Sequence, residues 1–304
     1  MRGVIVIRQK KEQVKPALIM CAVVGVIIMI VFIAATGVNR NVVSNMKGSV
    51  LFYGDGLKLY DFDSDELTDI AGEGCFDARF MEQGKIIYAD GNDNSFSIYD
   101  TDENKSVTTV RTESGQIKEL ACSADYRTVA LVVCDDGHYY INTYSGENFA
   151  ETGTIAESEN EICGMAFDEN SKIYYTVYDG TDGYLEAIGI SGGTPEKVLK
   201  SEGERMTELC AAGDYVYITE EKPGDSDIVR YGIKSGKTTV LKFNSDDYNC
   251  AGIVAVSDGE YITAGDRDEG WGLYVCNGSN MVRASAAGQY EILKVTDYRK
   301  DAEK

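Results

Sequence analysis

Proline is nearly absent from this chain, with three in 304 residues, and the sequence holds one histidine, His138, and one tryptophan, Trp271. With a single imidazole, any Ser-His-Asp or Cys-His relay must use His138 as its base. His138 lies just past a turn in "CDDGHYY", with Cys134 the nearest thiol in sequence, and reads as a strand residue at the surface. No Cys-x-x-Cys pair and no tight cysteine spacing occurs, which argues against a zinc site or a disulfide scaffold. Walker, HExxH, GxSxG and dinucleotide-binding patterns are all missing. No catalytic residue and no metal-ligand set is assigned. Basic residues are also scarce: 29 Lys and Arg stand against 50 Asp and Glu, a formal charge of −21. Nucleic acid is therefore a poor partner, because phosphate binding needs a basic footprint, and anionic lipid headgroups are repelled for the same reason.

The bases that exist are unevenly placed. Arg2, Arg8, Lys10, Lys11 and Lys15 precede an uncharged apolar run from Ala17 to Gly37. A helix of that length, at about 1.5 Å per residue, matches the roughly 30 Å hydrocarbon layer of a bilayer, and exceeds a signal-peptide apolar region of about 7–15 residues. The run is predicted to be an uncleaved transmembrane helix. Cleavage after Ala35 or Gly37 is the alternative. A lipid-attachment reading of "LIMC" is weaker, since Met20 is bulky and few apolar residues precede Cys21. The basic flank faces the cytoplasm by the positive-inside rule. The expected layout is a cytoplasmic tail over 1–16, a span over 17–37, a linker over 38–48 and an extracytoplasmic domain over 49–304. The expected address is the cell membrane, single-pass.

Beyond the span the chain alternates Gly, Asp and Asn turns with short runs rich in Val, Ile and Tyr, an all-β pattern. Taking Tyr53, Tyr88, Val132, Tyr175, Tyr217 and Ile262 as equivalent points in "VLFYGDG", "KIIYADG", "TVALVVCDDG", "KIYYTVYDG", "YVYITEEKPG" and "EYITAGDRDEG", the intervals are 35, 44, 43, 42 and 45 residues. A period near that length with four strands per unit describes a propeller blade, and the domain has room for six. Cys75, Cys122, Cys163, Cys210 and Cys250 fall in the innermost strand of blades two to six and read as small packing residues. The first blade lacks its inner strand. "YEILKVTDYR" (Tyr290–Arg299) resembles "TELCAAGDYV" (Thr207–Val216), so the C-terminus is expected to supply that strand and close the ring.

"IYYTVYDGTDGYLEAIGISGGTPEKVL" resembles the repeat of TolB-like and YWTD-type six-bladed β-propellers, and is similar to bacterial membrane-anchored propeller domains of unknown function. The resemblance implies the fold, and protein-binding or scaffold roles more often than catalysis. The Trp of the YWTD motif is absent, so a receptor-type ligand site does not carry over.

Asp61, Asp63 and Asp65 have the alternating spacing of a calcium loop, but Glu66 and Gly72 stand where an EF-hand needs Gly and Glu. No cofactor is assigned, and calcium lacks a full motif. In a propeller the loops between second and third strands emerge on the same side as those between blades, and here both sets are rich in acids. The longest are expected in "EEKPGDSD" and "GDRDEGWG". Glu220, Glu221, Asp225, Asp227, Asp266, Asp268, Glu269 and Trp271 are therefore the candidate binding residues, for a basic protein segment or another envelope component. The leading functional reading is a non-enzymatic extracytoplasmic binding or scaffold propeller that recognises a protein, peptide or glycan. The alternative is a hydrolase or lyase with carboxylates at the channel mouth, and an enzyme stays open on the sequence.

Overall fold

The computed structural model describes residues 46–82, 84–90, 94–112, 115–222, 225–241, 249–257, 260–267, 270–277, 280–284 and 294–300. Among them there is no helix. The expected span at 17–37 lies outside the described residues, and among those described no helix is long and apolar enough to cross a membrane.

The strands form six four-stranded antiparallel sheets. The first holds β1 (Ser49–Tyr53), β2 (Leu57–Asp61) and β3 (Glu66–Ala71), and the second β4 (Cys75–Phe80), β5 (Lys85–Asp90), β6 (Ser95–Asp100) and β7 (Lys105–Arg111). The third comprises β8 (Gln116–Cys122), β9 (Thr128–Asp135), β10 (His138–Ser145) and β11 (Glu151–Ser158). The fourth comprises β12 (Glu161–Phe167), β13 (Lys172–Tyr178), β14 (Gly183–Gly189) and β15 (Glu196–Ser201). The fifth holds β16 (Arg205–Ala212), β17 (Tyr215–Lys222), β18 (Asp225–Gly232) and β19 (Thr238–Leu241). The sixth holds β20 (Asn249–Ser257), β21 (Glu260–Arg267), β22 (Gly270–Asn277) and β23 (Asn280–Arg283). The last strand, β24 (Lys294–Arg299), joins the first sheet, in the order β24-β1-β2-β3. The chain is a six-bladed β-propeller closed by its C-terminal strand. The closing strand observed is shorter than the Tyr290–Arg299 segment read from the sequence, whose residues 290–293 lie outside those described.

Burial explains why the repeat is legible. Second strands are sandwiched between neighbouring blades and are apolar almost throughout, as in β13 "KIYYTVY" and β9 "TVALVVCD", whereas the outermost β7 "KSVTTVR" is exposed along most of its length. Each core cluster lies between two blades. Leu51, Leu57 and Ile70 of blade one pack on Ala78, Phe80 and Ile86 of blade two, and Ala166, Tyr174 and Leu185 of blade four pack on Met206, Val216 and Ile218 of blade five. Inner strands touch in sequence around the axis, with β24 in contact with both β4 and β20. Each blade thus depends on its neighbours, and the ring is one cooperative body. All seven cysteines of the propeller are free, and the five named for inner strands lie there.

Candidate functional site at the propeller axis

Every inner strand carries a register shift near its start: in β4 between Cys75 and Asp77, in β8 between Ile117 and Glu119, in β12 between Ile162 and Gly164. The shift recurs in β16 between Met206 and Leu209, in β20 between Cys250 and Gly252, and in β24 between Val295 and Asp297. A β-bulge re-aims the side chain beside it. Here the bulges set one residue per blade around the axis: Asp297, Asp77, Glu119, Gly164, Glu208 and Gly252.

Four of these are acids, and they do two different things. Asp77, fully buried, accepts from the Leu120 backbone N–H of the next blade at 2.8 Å and pairs with Arg79. Asp297 repeats the stitch one blade earlier, accepting from the Phe80 N–H at 2.8 Å. Gly164 and Gly252 serve the same junction by being small: a Cβ at Gly164 would strike the Thr207 carbonyl, and one at Gly252 would lie 2.9 Å from the Val295 carbonyl oxygen. Glu119 and Glu208 instead point to one ammonium. Lys294 Nζ lies 2.9 Å from Glu208 and 3.4 Å from Glu119, joining blades one, three and five across the axis.

Two cavities flank this layer. The upper one, about 380 Å³, opens where the inner strands begin, with Glu119, Glu208 and Lys294 in its lining together with Glu161, Arg205 and Glu221. The lower one, about 220 Å³, is lined by strand ends, including Arg79, Cys122, Asp297 and Arg299. Burial drives the Glu119 carboxyl well above its ordinary range, helped by Glu208 and opposed by Lys294. Burial likewise raises Glu208, and takes Asp297 to about 6 against the pull of Arg79. For Lys294 burial opposes the charge, but Glu119 and Glu208 outweigh it and the pKa rises.

The two faces differ in how charge is balanced. On the upper face, five cations each lie between two carboxylates: Lys294 as above; Arg205 with Glu161 (2.5 Å) and Glu221 (3.5 Å); Lys222 with Asp227 (2.5 Å) and Glu204 (3.7 Å); Lys200 with Asp182 (2.8 Å) and Glu202 (3.6 Å); and Lys58 with Asp69 (2.6 Å) and Asp55 (3.1 Å). On the lower face the pairs are one to one: Lys47–Asp63, Lys105–Glu103 at 2.8 Å, Arg127–Asp125 at 3.9 Å, Lys172–Glu196 at 3.2 Å and Lys234–Asp214 at 2.7 Å. Among the described residues the ion pairs thus differ between the faces, with two carboxylates to each of these cations above and one to each below.

Six of the sequence-derived candidates, Glu220, Glu221, Asp225, Asp227, Asp266 and Trp271, lie on that upper side, in strands and not in long loops. "EEKPGDSD" and "GDRDEGWG" are extended hairpins in which Glu220 faces Asp227 and Asp266 faces Trp271, leaving two residues at each tip. Strand pairing persists because the alternating pattern runs through the charged residues. Glu220 is buried against Ser201, and burial raises its carboxyl. Glu221 and Asp227 belong to the shared-cation pairs above. Asp268 and Glu269 lie outside the described residues, as do the side chains of Asp225, Asp266 and Trp271. His138 is exposed at a tight turn whose residues Asp136 and Gly137 both have positive φ. The Asp61–Asp65 segment, with the spacing of a calcium loop, makes a turn: Asp61 accepts from the Asp63 and Ser64 N–H groups at 2.9 and 2.7 Å. Among the described residues no group of three or more His, Cys, Asp or Glu is placed to hold a metal ion.

No family model matches the chain, and no curated protein is similar to it in sequence. Solved structures are similar in fold. The crystal structure of a nidogen/laminin complex contains a chain with TM-score 0.65 and 8% identity, covering 82% of this chain and 97% of that one. The fold is a shared one. TolB from Acinetobacter baumannii gives TM-score 0.62 at 11% identity, covering 82% of this chain and 66% of TolB. An oligogalacturonate lyase in complex with manganese gives 0.57 at 13% identity, covering 75% and 70%. The resemblance to TolB-like and YWTD-type propellers thus stands at the level of architecture. The same architecture serves a protein complex in one neighbour and a lyase in another, so it selects no activity.

Proposed function

We propose that this chain is a non-enzymatic, membrane-anchored extracytoplasmic propeller that holds a protein, peptide or glycan of the cell envelope on its upper face, and that the partner is basic. The observation that carries this reading is the asymmetry of charge: five cations each shared by two carboxylates above, one-to-one pairs below. Excess charge of one sign raises the local concentration of an opposite-signed partner. The test is capture from membrane extracts by the full chain, comparing substitution of Asp55, Asp69, Asp182, Glu202 and Asp227 by Asn or Gln with matched substitution of Asp63, Glu103, Asp125, Glu196 and Asp214. The upper set is expected to lose capture, and salt is expected to weaken it as the Debye length falls to about 8 Å. Equal effects of the two sets, or indifference to salt, would refute it. The anchor is supported by the 17–37 run and its basic flank, and external protease should degrade the region after Asn45 in intact cells or spheroplasts.

The alternative, a hydrolase or lyase, draws on Glu119 and Glu208. A carboxyl raised toward neutrality suits a general acid. Against it, both acids are held by Lys294, and Glu161 and Glu221 by Arg205. Turnover of envelope oligosaccharides that disappears in Glu208→Gln would establish that alternative.

A further inference from the structure

In the lower cavity, at the opposite end of the axis, hydrogen-bond donors go unused. Arg79 gives its Nη1 to the Asp77 carboxylate and, at 2.7 Å, to the Ala78 carbonyl; among the described residues its Nε and Nη2 donate to nothing, and the side chain keeps 14% exposure. The Arg299 guanidinium lies 4.6 Å from the centre of the Phe80 ring and makes no ion pair or hydrogen bond with a described residue. The Tyr126 phenol, close enough to Asp297 and Arg299 to feel both charges, has no hydrogen-bond partner among them either. All three side chains line the cavity. The carboxylates beside them are engaged. Asp297 accepts from the Phe80 and Tyr298 N–H groups, both at 2.8 Å, and Asp168 from the Asn170 and Lys172 N–H groups, both at 2.8 Å, while Glu169 is exposed. Asp297, raised to about 6 by burial, can take up a proton when a second anion enters, which removes one opposing charge. The rest of the wall is largely apolar, with Phe167, Leu209 and Val254 among alanines, and a volume of about 220 Å³ admits only a short ligand.

Independently of the upper face, we infer that the lower cavity binds a carboxylate attached to a short apolar group, its oxygens on the donors of Arg79, Arg299 and Tyr126 and its apolar part against Phe167, Leu209 and Val254. A guanidinium pairs with a carboxylate through charge-assisted N–H···O bonds, a match that a neutral amide makes only in part. Two sources present this chemistry: a free short branched acid, and the C-terminal residue of a peptide with an apolar end. A cation would instead meet two guanidiniums.

The test titrates the full-length chain in detergent with isovalerate and its amide, and with the acetylated tripeptide Ala-Ala-Val ending in either a free carboxylate or an amide. At least one acid should bind saturably, and its amide should bind about 10-fold more weakly or worse, the scale of a hydrogen bond to a charged group. Which acid binds distinguishes the two sources, and either one supports the site. Arg299→Gln should remove the preference for acid over amide. Arg127→Gln, at an exposed guanidinium outside the cavity lining, should leave that preference intact. Because the acid and amide series is run on the unaltered protein, the result stands even if a variant folds poorly. No saturable binding of either acid, equal binding of acid and amide, or equal loss in the two arginine variants would overturn the inference. Capture of a basic partner by the upper acids is a separate measurement, so failure here leaves the upper-face reading standing.

Discussion

Lys294 is the residue through which the closing strand grips the axis, and replacing it with Met tests that role. The substitution keeps most of the aliphatic stem and removes the charge. Two buried carboxylates 2.9 and 3.4 Å away then lose their shared partner. Breaking a buried pair by deleting one member costs about 3–5 kcal/mol. The Lys294 side chain is 14% exposed, so the lower end, ~3 kcal/mol, is the appropriate figure. For a domain of this size that corresponds to a fall in Tm of about 6–12 °C. The carboxylates have an escape, because they can bind protons, and each proton-binding equilibrium shifted by one pH unit recovers up to about 1.4 kcal/mol. The loss should therefore be large at pH 8 and shrink by roughly 2 kcal/mol at pH 5. Thermal melts of Lys294→Met at the two pH values measure both quantities. Adding Glu119→Gln and Glu208→Gln to the same protein should restore most of the stability at pH 8. A loss that is the same at pH 5 and 8, or a triple variant no better than the single one, would show that Lys294 acts by packing and not by charge.

Other consequences of the axial layer can be measured on the same protein. Asp297 is ordinarily near 3.8 and is raised to about 6 in the fold, so its contribution is fully present at low pH and is lost as pH rises through 6; with Glu119 and Glu208 shifted the same way, the melt should be higher at pH 5 than at pH 8, with about 1 kcal/mol from Asp297 alone. Asp63, Asp125, Asp179 and Asp182 are lowered and act in the opposite sense, but only below about pH 5, where the unfolded carboxyl begins to bind protons, so a melt that rises from pH 5 to pH 8 would refute the raised axial carboxyls. Gly164→Ala should drive a methyl into the Thr207 carbonyl and cost about 1–3 kcal/mol as an overpacked site, whereas Gly72→Ala meets nothing within 4 Å and has no left-handed φ to strain it; equal effects would contradict the close approach of blades four and five. Deleting residues 294–304 removes the inner strand of blade one, and loss of the single cooperative melt is expected; an unchanged transition would rule out closure by β24.

The ring was legible and its axis was not, for the same physical reason. Second strands are buried on both sides, so "KIYYTVY" and its counterparts must be apolar, and that demand repeats in every blade. The axial position has no single demand. It is met by Asp where a backbone N–H of the next blade needs an acceptor, by Gly where the next strand comes close, and by Glu where Lys294 lies across the channel, so no motif recurs. The tyrosine-based alignment also slid past it: Glu119 pairs with Val132, but the equivalents of Val132 are Ala89 opposite Asp77 and Ala264 opposite Gly252, not Tyr88 and Ile262. A signal was present in the lone acids of "CFDARF", "QIKELAC", "RMTELCAA" and "KVTDYR", each inside an otherwise largely apolar inner strand. The acid-rich upper side was read from loop composition, yet which acids share a cation depends on pairings such as Glu119 with Lys294, 175 residues apart.

The division among the four axial acids bears on which of them are free to act. Replacing buried ionic groups by apolar ones is often neutral or stabilising, so stability alone does not explain a charged axis. Asp77 and Asp297 have a local task, since each completes a main-chain hydrogen bond to the next blade at 2.8 Å and cannot leave it without orphaning a buried N–H. Glu119 and Glu208 accept no backbone hydrogen bond among the described residues; their shared partner is the Lys294 side chain, and both border the larger cavity. A carboxylate that shares its cation can exchange part of that contact for a second cation without breaking the sheet beneath it. The axis is thus layered: a lower pair fixed to the backbone carries the ring, and an upper pair, relieved of that duty, is left to meet whatever enters from the acidic face.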